Sequence, residues 1–405
     1  MAQGDRDGAR GHPHLLVSGW ALERVLEHLQ TNGAVGDSPQ VRRPSGRLAH
    51  VWLGPDVDDE KTRQAINKLP AYLRARVYAN EVLEVPGPAT DRSVIAAEPQ
   101  DLVGRDAARP ARALAARRSD SSDGAGVTIG VVDTGMWPHD WCAGAYLAHV
   151  RDLELEDAPY DSVRARCAGH GTFVTGLILQ QAPAADVRVE RALDPSGSGR
   201  TTAVVAAVER LAAQGVDIIN LSLGTARPTV GEASLLTHTI RELPDRIVVV
   251  AAAGNRDDGP AREFLPAALH EVLAVGAATE TGAGGEWKWA PYSNFGNWVD
   301  LAAEGGELVS TFPVFPKKGS NGSEVRTFAG WATWSGTSFA TAIVTGQLAH
   351  VMTDGKERVD AFTAAELLRQ RATAWTSDDL HVPVVQRRKW ALEPAARGQL
   401  ASAAR

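Results

Sequence analysis

Four short stretches of this 405-residue chain set reactive side chains among glycines. VVDTG carries Asp133, AGHGT sets His170 between two glycines, AAAGN ends on Asn255, and SGTSFA carries Ser338. Each has an ordinary reading when taken alone. Asp133 is a turn or helix-cap residue, His170 a capping histidine, and Gly254-Asn255 a turn. Ser338 is an N-cap, a position where serine is favoured. Taken together, the four side chains supply what acyl transfer requires. A serine hydroxyl is a weak nucleophile until a neutral imidazole takes its proton. The imidazole needs a carboxylate on its other nitrogen to fix its tautomer and stabilise the imidazolium. The tetrahedral intermediate needs hydrogen-bond donors at its oxyanion, which side-chain amides and helix-start N–H groups can supply.

The elements that must position these groups are legible between residues 127 and 354. VTIGVVD, VRVERAL, VDIINLSL, RIVVVAAA and VLAVGA are β-branched runs with little polar alternation. Such runs suit parallel strands covered on both faces. Helical stretches such as Thr201 to Gln214 lie between them. The pattern predicts an α/β fold with a doubly wound, mainly parallel sheet. Sites in that architecture gather at the carboxyl ends of strands, where Asp133 and Asn255 fall. His170 and Ser338 open helices.

Residues 1–103 read as a small α+β domain. Strands are expected at His14–Gly19, Arg47–Gly54 and, singly or as a pair, Arg76–Val85. Helices are expected at Ala21–Gln30 and Asp58–Leu69, the second with acidic residues in its first turn. Residues 104–126, rich in Ala, Arg, Ser and Gly, read as a linker. Residues 355–405 read as a helix, Ala364 to Trp375, followed by a polar tail.

Asp-Thr-Gly, Gly-His-Gly-Thr, Ala-Ala-Gly-Asn and Gly-Thr-Ser-x-Ala occur in that order over 126–354. This set resembles the subtilisin-like serine peptidases, whose chain order is Asp, His, Ser. The resemblance implies Asp133, His170 and Ser338 as the triad and Asn255 as an oxyanion donor. It implies a serine endopeptidase that grips an extended peptide by main-chain hydrogen bonds. Ser222-Leu223-Gly224 would form one wall, Gly197-Ser198-Gly199 the other, with Ala253-Gly254 beside them. Read without the resemblance, these are glycine turns. It further implies peptide or protein substrates, and an N-terminal domain acting as intramolecular chaperone or inhibitor. The segment after Ser338 departs from the family: Phe339-Ala340-Thr341-Ala342-Ile343 replaces Met-Ala-Ser-Pro-His. That keeps a peptide ligase or macrocyclase, using the same acyl-enzyme, in view. A noncatalytic peptide-binding relative is a third reading, against which the intact four residues argue. The stretch after His170 is too short for the calcium loop of many relatives, so calcium is carried over to no residue, and no metal or cofactor is expected.

The formal net charge of −7 leaves no basic footprint for nucleic acid. The longest apolar run, Ile247 to Ala253, has the length of a buried strand and not of a membrane span. The first twenty residues lack an apolar h-region with a cleavage site, and a cytoplasmic location is the expectation. Trp331 and Trp334, just before Ser338, are expected to pack or to shape an apolar pocket. Cys142 and Cys167 read as small buried hydrophobes.

Overall fold

The computed structural model describes residues 14–18, 21–35, 40–45, 48–53, 59–74, 77–79, 82–84, 100–101, 121–139, 141–142, 166–225, 235–255, 263–281, 286–314, 328–355, 357–372 and 382–387. The expected linker lies mostly outside them.

The first unit contains β1 (His14–Ser18), α1 (Leu22–Thr31), β2 (Gln40–Ser45), β3 (Leu48–Trp52), α2 (Asp59–Asn67), the single turn α3 (Ala71–Arg74) and β4 (Val77–Ala79). Its strands form an antiparallel sheet ordered β2-β3-β1-β4. Leu22, Val25 and Leu29 fall at helical spacing on α1 and are buried. They join Leu15, Val17, Val51 and Ile66 in a core of their own. β2 has two arginines and Pro44, and its sequence gave no strand pattern. It lies at the sheet edge, where a proline breaks no ladder on its outer side.

Two short strands follow, β5 (Val82–Glu84) and β6 (Gln100–Asp101). Neither joins the first sheet. Both pair with the second unit.

That unit runs β7 (Thr128–Asp133), α4 (His170–Gln181), β8 (Asp186–Arg191), β9 (Ser198–Arg200), α5 (Thr201–Ala213), β10 (Ile218–Leu221), α6 (Leu235–Arg241), β11 (Val248–Ala252), β12 (Val272–Thr281), β13 (Glu286–Trp289), β14 (Leu301–Glu304), β15 (Leu308–Val314), β16 (Ala329–Trp334), α7 (Thr337–Val351), α8 (Ala361–Arg371) and β17 (Val384–Val385). The main sheet is ordered β17-β14-β12-β11-β10-β7-β8 and is parallel along this path. β13 alone is antiparallel, on β12. β7 is followed in sequence by β8 on one side and later by β10 on the other. The direction of winding therefore reverses at β7, which opens a crevice at its carboxyl end.

The unalternating strand sequences follow from two cores. Ile129 and Val131 of β7 and Val250 of β11 face the core under α4 and α7. Val132, Val249 and Ala251 face the core under α5 and α6. Neighbouring residues point to opposite faces, and both faces are apolar. α7 is buried at every residue from Thr337 to Ala349, and α4 along its whole length. Two helices buried all round hold their first turns, with Ser338 and His170, against the same end of the sheet. Cys142 and Cys167 are buried, one in each core.

Candidate active site

Asp133 is the last residue of β7 and is fully buried. Its Oδ1 accepts the Thr134 backbone N–H at 2.7 Å. Its two carboxylate oxygens lie 2.9 and 3.0 Å from His170 Nδ1. An imidazole facing a carboxylate through Nδ1 carries its proton there, which leaves Nε2 as the acceptor. Nε2 is buried and has no hydrogen-bond partner among the described residues.

The turn that delivers His170 is built for close approach. Gly169, the N-cap of α4, has φ +83°, the left-handed region that glycine enters without cost. A Cβ on Gly171 would stand 2.1 Å from the Gly135 carbonyl oxygen. The loop after β7 is laced to the start of α4: the Gly171 N–H donates to Thr134 Oγ1 at 3.1 Å and the Trp137 N–H to Thr172 Oγ1 at 3.0 Å. From behind, the Ser310 and Thr311 hydroxyls of β15 donate to the Phe173 and Thr172 carbonyls. The His170 ring sits edge-on to Trp334, centroids 5.4 Å apart, and 5.3 Å from the ring of Phe339. Trp334 and Trp331 are thus packed aromatics, Trp331 lying against His139 and Trp141.

Ser338 is the second residue of α7, where a backbone N–H has no intrahelical partner. Its hydroxyl turns toward the Ser222 carbonyl at 3.4 Å and makes no hydrogen bond with His170. Asn255 is held beside it. Asn255 Oδ1 accepts both the Thr337 N–H at 2.8 Å and the Thr337 hydroxyl at 2.7 Å. An oxygen with two donors fixes which end of the amide is which, and turns Nδ2 away from Thr337. The preceding Gly336 donates its N–H to the Gly305 carbonyl, which also accepts the Tyr292 hydroxyl at 2.6 Å. Burial pushes the Tyr292 pKa up, so the phenol stays protonated and donating. Ser222 Oγ donates to the Ser338 carbonyl at 3.0 Å and is itself donated to by Asn220.

The three segments expected to line a substrate follow β10, follow β11 and lead into β9. Ser222, Leu223 and Gly224 follow β10, with the Leu223 side chain in the core, so that this segment offers its backbone. Ala253 and Gly254 follow β11, their carbonyls taken by the Asn294 side chain and N–H. Gly197 ends a turn whose geometry Asp194 sets by accepting from Ser196 and Ser198. Ser198 and Gly199 lie in β9, and β9 is paired: Leu83 stands opposite Gly199 and Glu84 opposite Ser198 in an antiparallel ladder. The sequence offered no sign of Thr337 as the holder of Asn255, apart from its place in the Gly-Thr-Ser triplet.

A doubly wound sheet, an Asp–His pair at the switch strand, and a serine beside an amide at a buried helix start together define a subtilisin-like serine peptidase. The chain belongs to the subtilase family, whose model matches residues 124–388. It is 31% identical over 252 residues to the thermophilic serine proteinase of Bacillus sp. (strain AK1), an alignment covering 60% of this chain and 56% of that one. It is 30% identical over 268 residues to thermitase of Thermoactinomyces vulgaris, covering 64% of this chain and 86% of that one. An intracellular serine protease of Paenibacillus polymyxa is 32% identical over 240 residues, 56% of this chain and 66% of that one. The fold is similar to that of fervidolysin from Fervidobacterium pennivorans, a keratinolytic enzyme related to subtilisin. That likeness has a TM-score of 0.60 at 18% identity, over 94% of this chain and 61% of the other, and it bears on the fold alone.

Proposed function

We propose that the chain is a serine endopeptidase that hydrolyses peptide bonds through an acyl-enzyme on Ser338. His170 Nε2 takes the Ser338 proton as the hydroxyl attacks the carbonyl carbon, then delivers it to the departing amine. Water repeats the sequence on the ester. Asp133 holds the tautomer and stabilises the imidazolium. The Asn255 amide and the Ser338 N–H receive the oxyanion at the positive end of α7. The mechanism requires Ser338 Oγ to leave the Ser222 carbonyl and bond Nε2, a tightening that catalytic hydrogen bonds commonly undergo when substrate binds. The observation that carries this reading is His170, clamped through Nδ1 by Asp133 while Nε2 stays buried and unbonded. A purely structural histidine in a core satisfies both nitrogens.

Substrates are peptides or protein segments in extended form, lying as a strand along β9 and Ser222–Gly224. The N-terminal unit acts as an inhibitor in cis. The β5–β9 ladder supports this, since β5 takes the strand edge a substrate needs. The name of the Paenibacillus relative supports an intracellular setting. No helix among the described residues is long and apolar enough to cross a membrane.

The test is labelling of the purified chain with a fluorophosphonate, alongside a peptide library read by mass spectrometry. Labelling confined to Ser338 and absent in Ser338→Ala is expected, with products heavier in sum than substrate by one water. Equal labelling of the Ala variant overturns the assignment. Products joined without gain of water would make the enzyme a ligase.

A further inference from the structure

Phe264 is buried, yet it belongs to neither apolar core of the second unit. Its ring lies between the two strand ends that flank the site. A Cβ built on Gly224 would stand 2.4 Å from Phe264 Cε1 and 2.8 Å from Cδ1. A Cβ built on Gly254 would stand 3.0 Å from Cγ and 3.1 Å from Cδ2. One edge of the ring therefore touches the backbone after β10, and the other edge the backbone after β11.

This position has a chemical meaning if Ser338 is the nucleophile, and the inference rests on that reading. The attacked carbonyl carbon must lie at Ser338 Oγ, with its oxygen toward Asn255. The residue bearing that carbonyl then sits beside Ser222, whose own carbonyl is 3.4 Å from Ser338 Oγ. Its side chain has to enter the space bounded by Ser222–Gly224 and by Ala253–Asn255, and Phe264 already stands there. The ring is not loosely placed. Thr225 and Leu265 exchange backbone hydrogen bonds of 2.8 and 2.9 Å, which stitch the Phe264 segment to the Gly224 wall. The opposite wall is held by Asn294, through the Ala253 and Gly254 carbonyls.

We propose that Phe264 sets the specificity of the site by filling the side-chain pocket between Gly224 and Gly254, so that cleavage follows glycine, alanine or serine and not a large apolar residue. A pocket that must lose an aromatic ring before it can accept one discriminates by packing alone. Even one methylene in an apolar pocket is worth about 10–200-fold.

The experiment uses the full chain and Phe264→Ala with peptides that differ only at the residue before the scissile bond: Gly, Ala, Ser, Leu or Phe. kcat/KM is measured for each, and the rate of fluorophosphonate labelling at Ser338 is followed in parallel. The wild type is expected to favour Ala over Phe by about 100-fold or more. In Phe264→Ala the order should reverse in favour of Leu and Phe, with labelling retained. Wild-type cleavage after Phe or Leu as fast as after Ala overturns the proposal, and so does an unchanged profile in a Phe264→Ala enzyme that labels normally. If that variant does not fold, the wild-type series alone decides. Absence of both labelling and cleavage in the wild type and equally in a chain whose β5–β9 ladder is broken by Leu83→Pro would sink the peptidase reading itself, and this inference with it.

Discussion

Thr337 makes no hydrogen bond to Ser338 Oγ or to His170 among the described residues, yet on the proposed mechanism turnover should depend on its hydroxyl. That hydroxyl and the Thr337 N–H share Asn255 Oδ1, at 2.7 and 2.8 Å. Thr337→Val keeps the shape and the N–H and deletes one donor. One neutral hydrogen bond is worth about 1 kcal/mol net, and at about 1.4 kcal/mol per factor of ten this is about fivefold in kcat. Deleting the amide in Asn255→Ala should cost about 10²–10³, the value established for the oxyanion asparagine of a subtilisin. KM should barely move in either variant, because the oxyanion exists only at and beyond the transition state. The decisive measurement is the double variant. If Thr337 acts through Asn255, Thr337→Val adds nothing once the amide is gone, and the double variant matches Asn255→Ala. Thr337→Ser, which restores the hydroxyl, should stay near the wild type. A double variant about fivefold slower than Asn255→Ala would refute the coupling, and so would a Thr337→Val enzyme of full activity.

Asp133→Asn should fold normally, by thermal unfolding, and lose about 10⁴ in kcat, because an amide at Nδ1 permits the wrong tautomer. Proline at Leu83 or at Glu84 should speed fluorophosphonate labelling of the uncut chain, since neighbouring residues alternate in their ladder bonding and one of the two must lose a hydrogen bond; labelling unchanged in both would separate β5 from inhibition. Asp360→Ala should cost about 1 kcal/mol of stability in denaturant unfolding at neutral pH, because Asp360 caps α8 through the Thr363 N–H and hydroxyl. Those bonds hold the Asp360 pKa below its ordinary value. The contribution is therefore complete above the usual aspartate range and disappears as pH falls through the folded value, so the gap to the variant should close below about pH 4.

What the sequence disclosed was the part that depends on pattern. Apolar runs between Thr128 and Thr281 are visible because strands with two covered faces have no polar positions. The four motifs are visible because glycines at tight approaches leave few alternatives. Partnerships were harder to see. β17 is two valines in a polar stretch, and it is a strand only because β14 offers an edge. β5 and β6 are too short to carry a period, and their partners are distant in sequence. Phe264 reads as any core phenylalanine. Its place between Gly224 and Gly254 arises from three loops that meet only in the fold.

The ladder between β5 and β9 also sets how activity would depend on dilution. On the proposed inhibition in cis, Val82–Glu84 would be tethered to the site it obstructs while the chain is continuous, and a flexible tether holds its partner at an effective concentration of up to the order of millimolar. A free peptide must outcompete that. Once the chain is cut between the two units, the same strand competes only at its bulk concentration. Release then becomes a matter of mass action, complete in dilute solution and suppressed where the protein is stored at high density. One covalent bond would thus convert a first-order, concentration-independent restraint into a second-order one, and the protein's own concentration would serve as the brake that the tether had been.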